Sequence, residues 1–180
     1  MKIKKYNYDR IKEKDVNDSI IRVKALMINS QEEILLGNAF GTYQFPGGHQ
    51  EEKETLSETL IREIKEETGI TLPFREYEPF FAIKYYLKDY PVLGNNRSIE
   101  LYYFCLFTDE KYHLEKRNLD DQERIGDFTL TYVPLKDIKK VLEETQEKQK
   151  INRLIEREML LAVHQFKKER RKLWKKNVLK

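Results

Sequence analysis

Three glutamates, Glu63, Glu66 and Glu67, follow Arg62 closely in the stretch GGHQEEKETLSETLIREIKEETGI, Gly47 to Ile70. On a helix at about 100° per residue, with Glu63 at zero, Glu66 falls at about −60° and Glu67 at about +40°. Leu56, Leu60, Ile61 and Ile64 run from about +20° to +160° on the same wheel. The carboxylates therefore form one patch along the edge of an apolar stripe, with Arg62 about 40° from Glu66 and able to reach it. Bare carboxylates at i, i+3 and i+4 repel one another, and partial burial raises their pKa values. A hard divalent cation removes both penalties. Oxygen ligands suit Mg²⁺ or Mn²⁺, and Mg²⁺ commonly combines a few carboxylates with phosphate oxygens of a substrate. Glutamates on one face are also what a Glu-rich chain produces, so the elements around them matter.

The helix that must carry this patch has a well-defined start and stop. Thr55 with Glu58 three residues later is a capping box, and Gly69 ends the helix. Ahead of it, Pro46-Gly47-Gly48 is a turn that lets backbone approach the carboxylates closely. Upstream, IIRVKALMIN (Ile20–Asn29) reads as a strand, Glu33–Gly37 as its partner, and TYQFPGG as a short aromatic strand stopped by Pro46. Downstream, YEPFFAIKYYLKDY and RSIELYYFCLFTDE read as two more strands around the turn residues Gly94-Asn95-Asn96, and FTLTYVPL as another. LKDIKKVLEETQ is a helix after Pro134. A long final helix keeps Ile151, Leu154, Ile155, Met159, Leu161, Ala162 and Phe166 on roughly one face. Strands with one helix among them and helices at the end give an α/β or α+β sandwich. The expected division is an N-terminal segment at 1–19, a domain at 20–145 and a basic C-terminal helix at 146–180.

Composition excludes several classes. The chain has 180 residues, 39% hydrophobic and 36% charged, and its 12% aromatic content argues against disorder. No run approaches the ~20 apolar residues of a membrane span. MKIKKYNYDRIKEKD has the charge of a signal peptide without its apolar region. The lone Cys105 lies in the apolar run LYYFCLF and reads as a buried core thiol. These features point to the cytoplasm. Residues 146–180 hold 12 Lys+Arg and 4 Asp+Glu, a net +8, which leaves −5 upstream. An acidic body thus carries a basic tail.

Gly48, Glu54, Arg62-Glu63-Ile64, Glu66-Glu67 and Gly69-Ile70 match the Nudix box at every specified position, and the chain resembles the Nudix hydrolase family. Seven fixed residues at ~0.1 each make a chance match rarer than roughly one in ten thousand. Lys53, where many members have Gly, is a small departure in a loop. The resemblance implies a Nudix-type α/β/α sandwich with a mixed sheet, with additional C-terminal helices outside the resemblance. It implies hydrolysis of a nucleoside diphosphate linked to another group by attack of water on phosphorus, with Mg²⁺ or Mn²⁺ neutralising the oxygens. It assigns Glu63, Glu66 and Glu67 as metal ligands, joined by a carbonyl of Gly47 or Gly48, with Arg62 orienting a carboxylate. Glu54 supports the loop and helix together with Gly47 and Gly69.

The general base stays open among Glu63, Glu66, Glu100 and Glu123. Glu100 is the only acid in a core-like strand, and Glu123 precedes the last strand. For the base-stacking ring the candidates are Tyr43, Phe45 and Tyr86, with Tyr85 and Tyr90 behind them. Tyr86 stands sixteen residues beyond the box, where members acting on dinucleoside polyphosphates often carry a tyrosine, although the chain has eleven tyrosines. No Pro stands near that position before Pro91, as members acting on ADP-ribose often show. Triphosphate substrates, oxidised dNTPs included, fit equally. KKERRKLWKK could bind RNA, including a 5′-triphosphate end, through phosphate contacts, and its cations also suit the end of a helix. The remaining alternative is a non-catalytic nucleotide- or RNA-binding module on the same scaffold. The amphipathic C-terminal helix offers a surface for a homodimer, and His164 on it has no partner at metal spacing.

Overall fold

Val23, Ala25 and Met27 alternate with Leu26 and Ile28 along one strand, and the two sets are buried in different layers. A strand whose two faces are both apolar needs cover on both sides. The computed structural model, which describes residues 1–119, 121–145 and 150–178, provides it. A mixed sheet lies between one helix on one face and two on the other, as expected of the α/β/α sandwich.

The strands are β1 (Lys2–Tyr6), β2 (Asp18–Ile28), β3 (Glu33–Ala39), β4 (Thr42–Gln44), β5 (Phe81–Leu87), β6 (Arg97–Phe107) and β7 (Thr129–Pro134). Their order is β1-β5-β6-β2-β3-β4, with β7 on the other edge of β3. β2 and β6 run parallel over eleven residue pairs from Asp18↔Arg97 to Ile28↔Phe107, whereas β5 and β6 are antiparallel. Helix α1 (Leu56–Thr68) packs Leu60 and Ile64 on the Val23, Ala25 and Met27 face. The short α2 (Asp121–Ile125) precedes β7, and α3 (Ile138–Thr145) and α4 (Lys150–Val178) cover the opposite face.

Two elements differ from expectation. Lys2–Tyr6, within the segment left without structure, is an edge strand pairing with β5. Its lysine-rich sequence suits an edge, where charge discourages pairing with other chains, and it dilutes the apolar signal. On α4 the buried apolar residues among those described are Met159, Ala162, Val163, Phe166 and Leu173, while Leu154 is exposed. The side chain of Ile151 lies outside the described residues. Cys105 is buried in the core, and burial pushes its thiol pKa up, as a packing cysteine requires.

Candidate metal and phosphate site

The turn ahead of α1 is fastened to β2 by backbone. Ala25 N–H donates to the Pro46 carbonyl at 2.8 Å, Val23 N–H to the Gly48 carbonyl at 2.9 Å, and Gln50 N–H to the Ile21 carbonyl at 2.9 Å. The capping box at Thr55 and Glu58 is formed, and Gly69 ends α1 in the left-handed conformation. Loop and helix are thereby held at a fixed angle with the carboxylates facing the turn.

Arg62 is the hub. Its Nε and Nη2 donate to the two carboxylate oxygens of Glu54 at 2.7 and 3.0 Å, and Nη2 also donates to the His49 carbonyl at 2.9 Å. Its Nη1 reaches Glu63 at 2.8 Å and Glu66 at 3.1 Å. A planar fork spreads five donors over three nitrogens at fixed angles, whereas a lysine has three donors on one nitrogen. Replacing Arg62 with Lys is expected to destabilise the protein by about 1–3 kcal/mol, the usual cost of leaving buried hydrogen-bonding groups unpaired. Thermal melts check it: an unchanged Tm would exclude the hub role.

Glu54 owes its low pKa to this pairing. Arg62, with help from Glu51 N–H and Thr59 Oγ1, holds the carboxylate at about 2. Its ordinary value is 4.5, so its stabilisation is full above that value and is lost as pH falls through about 2. Melts of wild type and Glu54→Gln should therefore differ most near pH 7 and converge as pH falls below 4.5 towards 2. A gap independent of pH would contradict this. The resemblance assigned Glu54 a supporting role; its carboxylate is held by Arg62, Thr59 Oγ1 and Glu51 N–H.

Glu63 is almost fully buried, and burial raises its pKa against the opposing pull of Arg62 and Lys24. A Cβ at position 48 would lie 2.5 Å from both Glu63 carboxylate oxygens, so only glycine leaves the carboxylate its place. Glu67 is 2% exposed and accepts from Gly47 N–H at 3.0 Å. The Gly47 carbonyl accepts from Lys24 Nζ. As they stand, no three His, Cys, Asp or Glu side chains among the described residues form a metal cluster. Glu63 and Glu66 turn towards Arg62 and Glu67 towards the Gly47 amide. The donor set nevertheless fits a hard cation: carboxylates with spare lone pairs and carbonyl oxygens that accept one bond each, gathered where desolvation makes their charge unfavourable.

A cleft of about 660 Å³ opens over these groups, within the range of small-molecule sites. Its other walls were not named from the sequence. Arg22 and Lys24 of β2 face it, Arg22 donating from Nε to His49 Nε2 at 2.9 Å. Asn118, Asp121 and Arg124 close the far side, and Asn118 N–H donates to the Glu66 carbonyl at 2.9 Å. The missed signal in β2 was legible: two cations in an apolar strand are as unfavourable as the lone acid noticed in β6. Glu158 of α4 lies near enough to Arg22 and Lys24 for their charges to lower its pKa, although burial raises it overall.

The remaining sequence candidates fall elsewhere. Glu100 binds Lys84 Nζ at 2.8 Å and Tyr102 Oη at 2.6 Å and does not line the cleft. Phe45 is 1% exposed, edge-on to Tyr103 in the core, and Tyr86 is 4% exposed with its hydroxyl on Glu13 at 2.7 Å. Both are buried and offer no face to a base. Tyr43 is half-buried beside the cleft-lining Gln44 but is not itself part of the lining. Glu123 belongs to α2, whose Asp121 and Arg124 border the cleft, but its own side chain lies outside the described residues. His164 is exposed. The basic end of α4 sits where Trp174 meets Phe107 and Arg170 meets Glu32. Ile28, opposite Phe107, is six residues along β2 from Arg22, about 20 Å at ~3.3 Å per residue, so the basic patch is not a wall of the cleft.

Fold and site together define an α/β/α sandwich with a single-helix carboxylate site facing strand cations across an open cleft. The chain belongs to the Nudix family: the model of the NUDIX domain matches residues 19–157. Nudix hydrolase 10 of Arabidopsis thaliana is 28% identical over 109 residues, covering 56% of this chain and 34% of that protein. The chain thus spans about a third of the length of that curated relative. A MutT protein from Bacillus halodurans is 21% identical with a TM-score of 0.50, covering 67% of this chain and 72% of that one, and shows the shared fold. The MutT protein of Methanosarcina mazei Go1 is 22% identical at a TM-score of 0.49, covering 78% and 92%. Among the described residues no helix is long and apolar enough to cross a membrane.

Proposed function

We propose that the protein is a divalent-metal-dependent hydrolase of phosphoanhydride bonds, cleaving a nucleoside diphosphate linked to another group. One observation carries the reading: three carboxylates of α1 and the cations Arg22 and Lys24 of β2 face the same cleft. Carboxylates alone would repel a phosphate chain and cations alone would only bind it. Both together suit a phosphate chain bridged by a cation. Mg²⁺, or Mn²⁺ in its place, would be held by Glu63, Glu66, Glu67 and the Gly48 carbonyl, where it would screen phosphate charge and acidify bound water.

The chain's own residues then divide the work. Arg22 and Lys24 hold phosphate oxygens and set the register of the chain of phosphates. Arg62 keeps Glu63 and Glu66 oriented, so no reorganisation is needed at the moment of reaction. Glu63 and Glu66 line the cleft and Glu100 does not, which favours a general base on α1 for the proton of the attacking water. Buried walls below and open solvent above suit a polar substrate entering from one side.

The test is a panel with Mg²⁺ or Mn²⁺: dNTPs and oxidised dNTPs, ADP-ribose, nucleotide sugars, dinucleoside polyphosphates and 5′-triphosphate RNA. Released phosphate, pyrophosphate or mononucleotide is followed with metal present and after chelation. Metal-dependent cleavage of one class supports the reading. Tight nucleotide binding without turnover of any class would instead identify a binding module.

A further inference from the structure

We propose that the outer face of α1 is a subsite for a second nucleotide, which makes dinucleoside polyphosphates the preferred substrate class. The inference rests on the hydrolase reading above. A pocket of about 490 Å³ lies beside the cleft and shares Arg62, Glu66 and Asn118 with it. The two spaces therefore meet at Glu66 and Arg62, and a substrate held in one extends naturally into the other. The walls it does not share are Glu58, Ile61, Lys65, Phe74 and Lys116.

Together these walls point to one chemistry. Phe74 is 86% exposed, so almost the whole ring lacks apolar cover. Its loop is nonetheless anchored: Tyr77 N–H donates to Ser57 Oγ at 2.9 Å, and Tyr77 Oη donates to the Pro73 carbonyl at 3.0 Å. Lys116 stands on a segment fastened to the end of α1 through His113 N–H to the Thr68 carbonyl at 2.8 Å and through Asn118 N–H to Glu66. Among the described residues neither Lys65 nor Lys116 forms an ion pair. Glu58, which also borders the pocket, is turned to the helix start, accepting from Thr55 N–H at 2.8 Å. An anchored aromatic plate with two uncompensated ammonium groups, opening onto a phosphate-handling cleft, matches a nucleobase and its phosphates. A pyrophosphate leaving group would use the lysines and leave the ring bare. A second nucleotide uses both.

The probes are methylene-bridged, non-hydrolysable analogues of diadenosine tetraphosphate and of ATP. Each is titrated calorimetrically into Mg²⁺-loaded wild type, Phe74→Ala and the Lys65→Ala/Lys116→Ala double variant. Wild type should bind the dinucleotide analogue about tenfold or more tightly than the ATP analogue, the range expected for one stacked base. Phe74→Ala should remove most of that preference without weakening the ATP analogue, and the double variant should reduce it in a salt-dependent way. Equal binding of the two analogues by wild type, or equal weakening of both by Phe74→Ala, would overturn the subsite. So would light scattering that shows a dimer in wild type and a monomer in Phe74→Ala, since the ring would then be a self-contact. Turnover of the parent nucleotides is scored separately. An analogue preference without turnover defeats the hydrolase reading and leaves the subsite, whereas turnover without the preference does the reverse.

Discussion

Glu67→Gln should lower metal-dependent turnover by roughly 10²–10³-fold and leave the fold intact, the scale seen when one preorganised electrostatic contact is removed from a reacting centre. The substitution separates the two because the Glu67 carboxylate has two tasks. It accepts from Gly47 N–H at 3.0 Å, and it supplies one of the negative charges that a cation requires. A glutamine oxygen keeps the first task at nearly unchanged volume and abandons the second. The residue is 2% exposed, so water cannot replace the lost charge. Turnover is measured over a metal titration, with thermal melts and far-UV circular dichroism beside it. A variant that retains wild-type turnover would remove Glu67 from the ligand set. One that fails to fold would show that its task is holding the turn.

The second large effect is on stability and lies one turn away. Gly47→Ala should destabilise the protein by about 3 kcal/mol or more, combining backbone strain with overpacking. For a chain of this length that corresponds to a fall in Tm of roughly 6–12 °C. Gly47 has φ of 125°, which side chains rarely adopt, and a Cβ there would stand 2.4 Å from the Val23 carbonyl oxygen. That oxygen belongs to β2 at the centre of the sheet, paired with β6 through every residue, so it cannot move aside. Relief would come only by lifting the turn from β2. That movement would separate the Gly47 amide from Glu67 and its carbonyl from Lys24, so activity should fall with stability. Differential scanning calorimetry of the variant decides the matter: a Tm within a degree or two of wild type would mean that the turn relaxes freely.

Both predictions concern a segment whose main features are local. The apolar stripe, the capping box at Thr55 and Glu58, the glycine stop at Gly69 and the carboxylate patch all depend on residues three or four apart, and helical geometry brings such residues together wherever the helix sits. Arg62 reaching Glu66 follows from the same spacing, and the structure contains that contact at 3.1 Å. The class of fold was legible for another reason. Strands with one helix among them and further helices at the end of the chain give a layered sandwich.

What lay across chain distance was decided only by tertiary structure. Arg22 and Lys24 join Glu63 because residues 46–50 pair with β2, and nothing in the helix encodes which strand it will lie beside. Strand residues reverse face at each step, so a tyrosine or an acid in a strand is a candidate for either face until the register is set. Tyr86 is held by Glu13, Glu100 by Lys84 and Tyr102, and Phe45, just beyond β4, packs into the core, so none of them lines the cleft. Periodicity says that a face will be covered; it does not say by what, so the sheet's use of Lys2–Tyr6 as an edge and the open ring of Phe74 beside α1 appear only once the chain is folded.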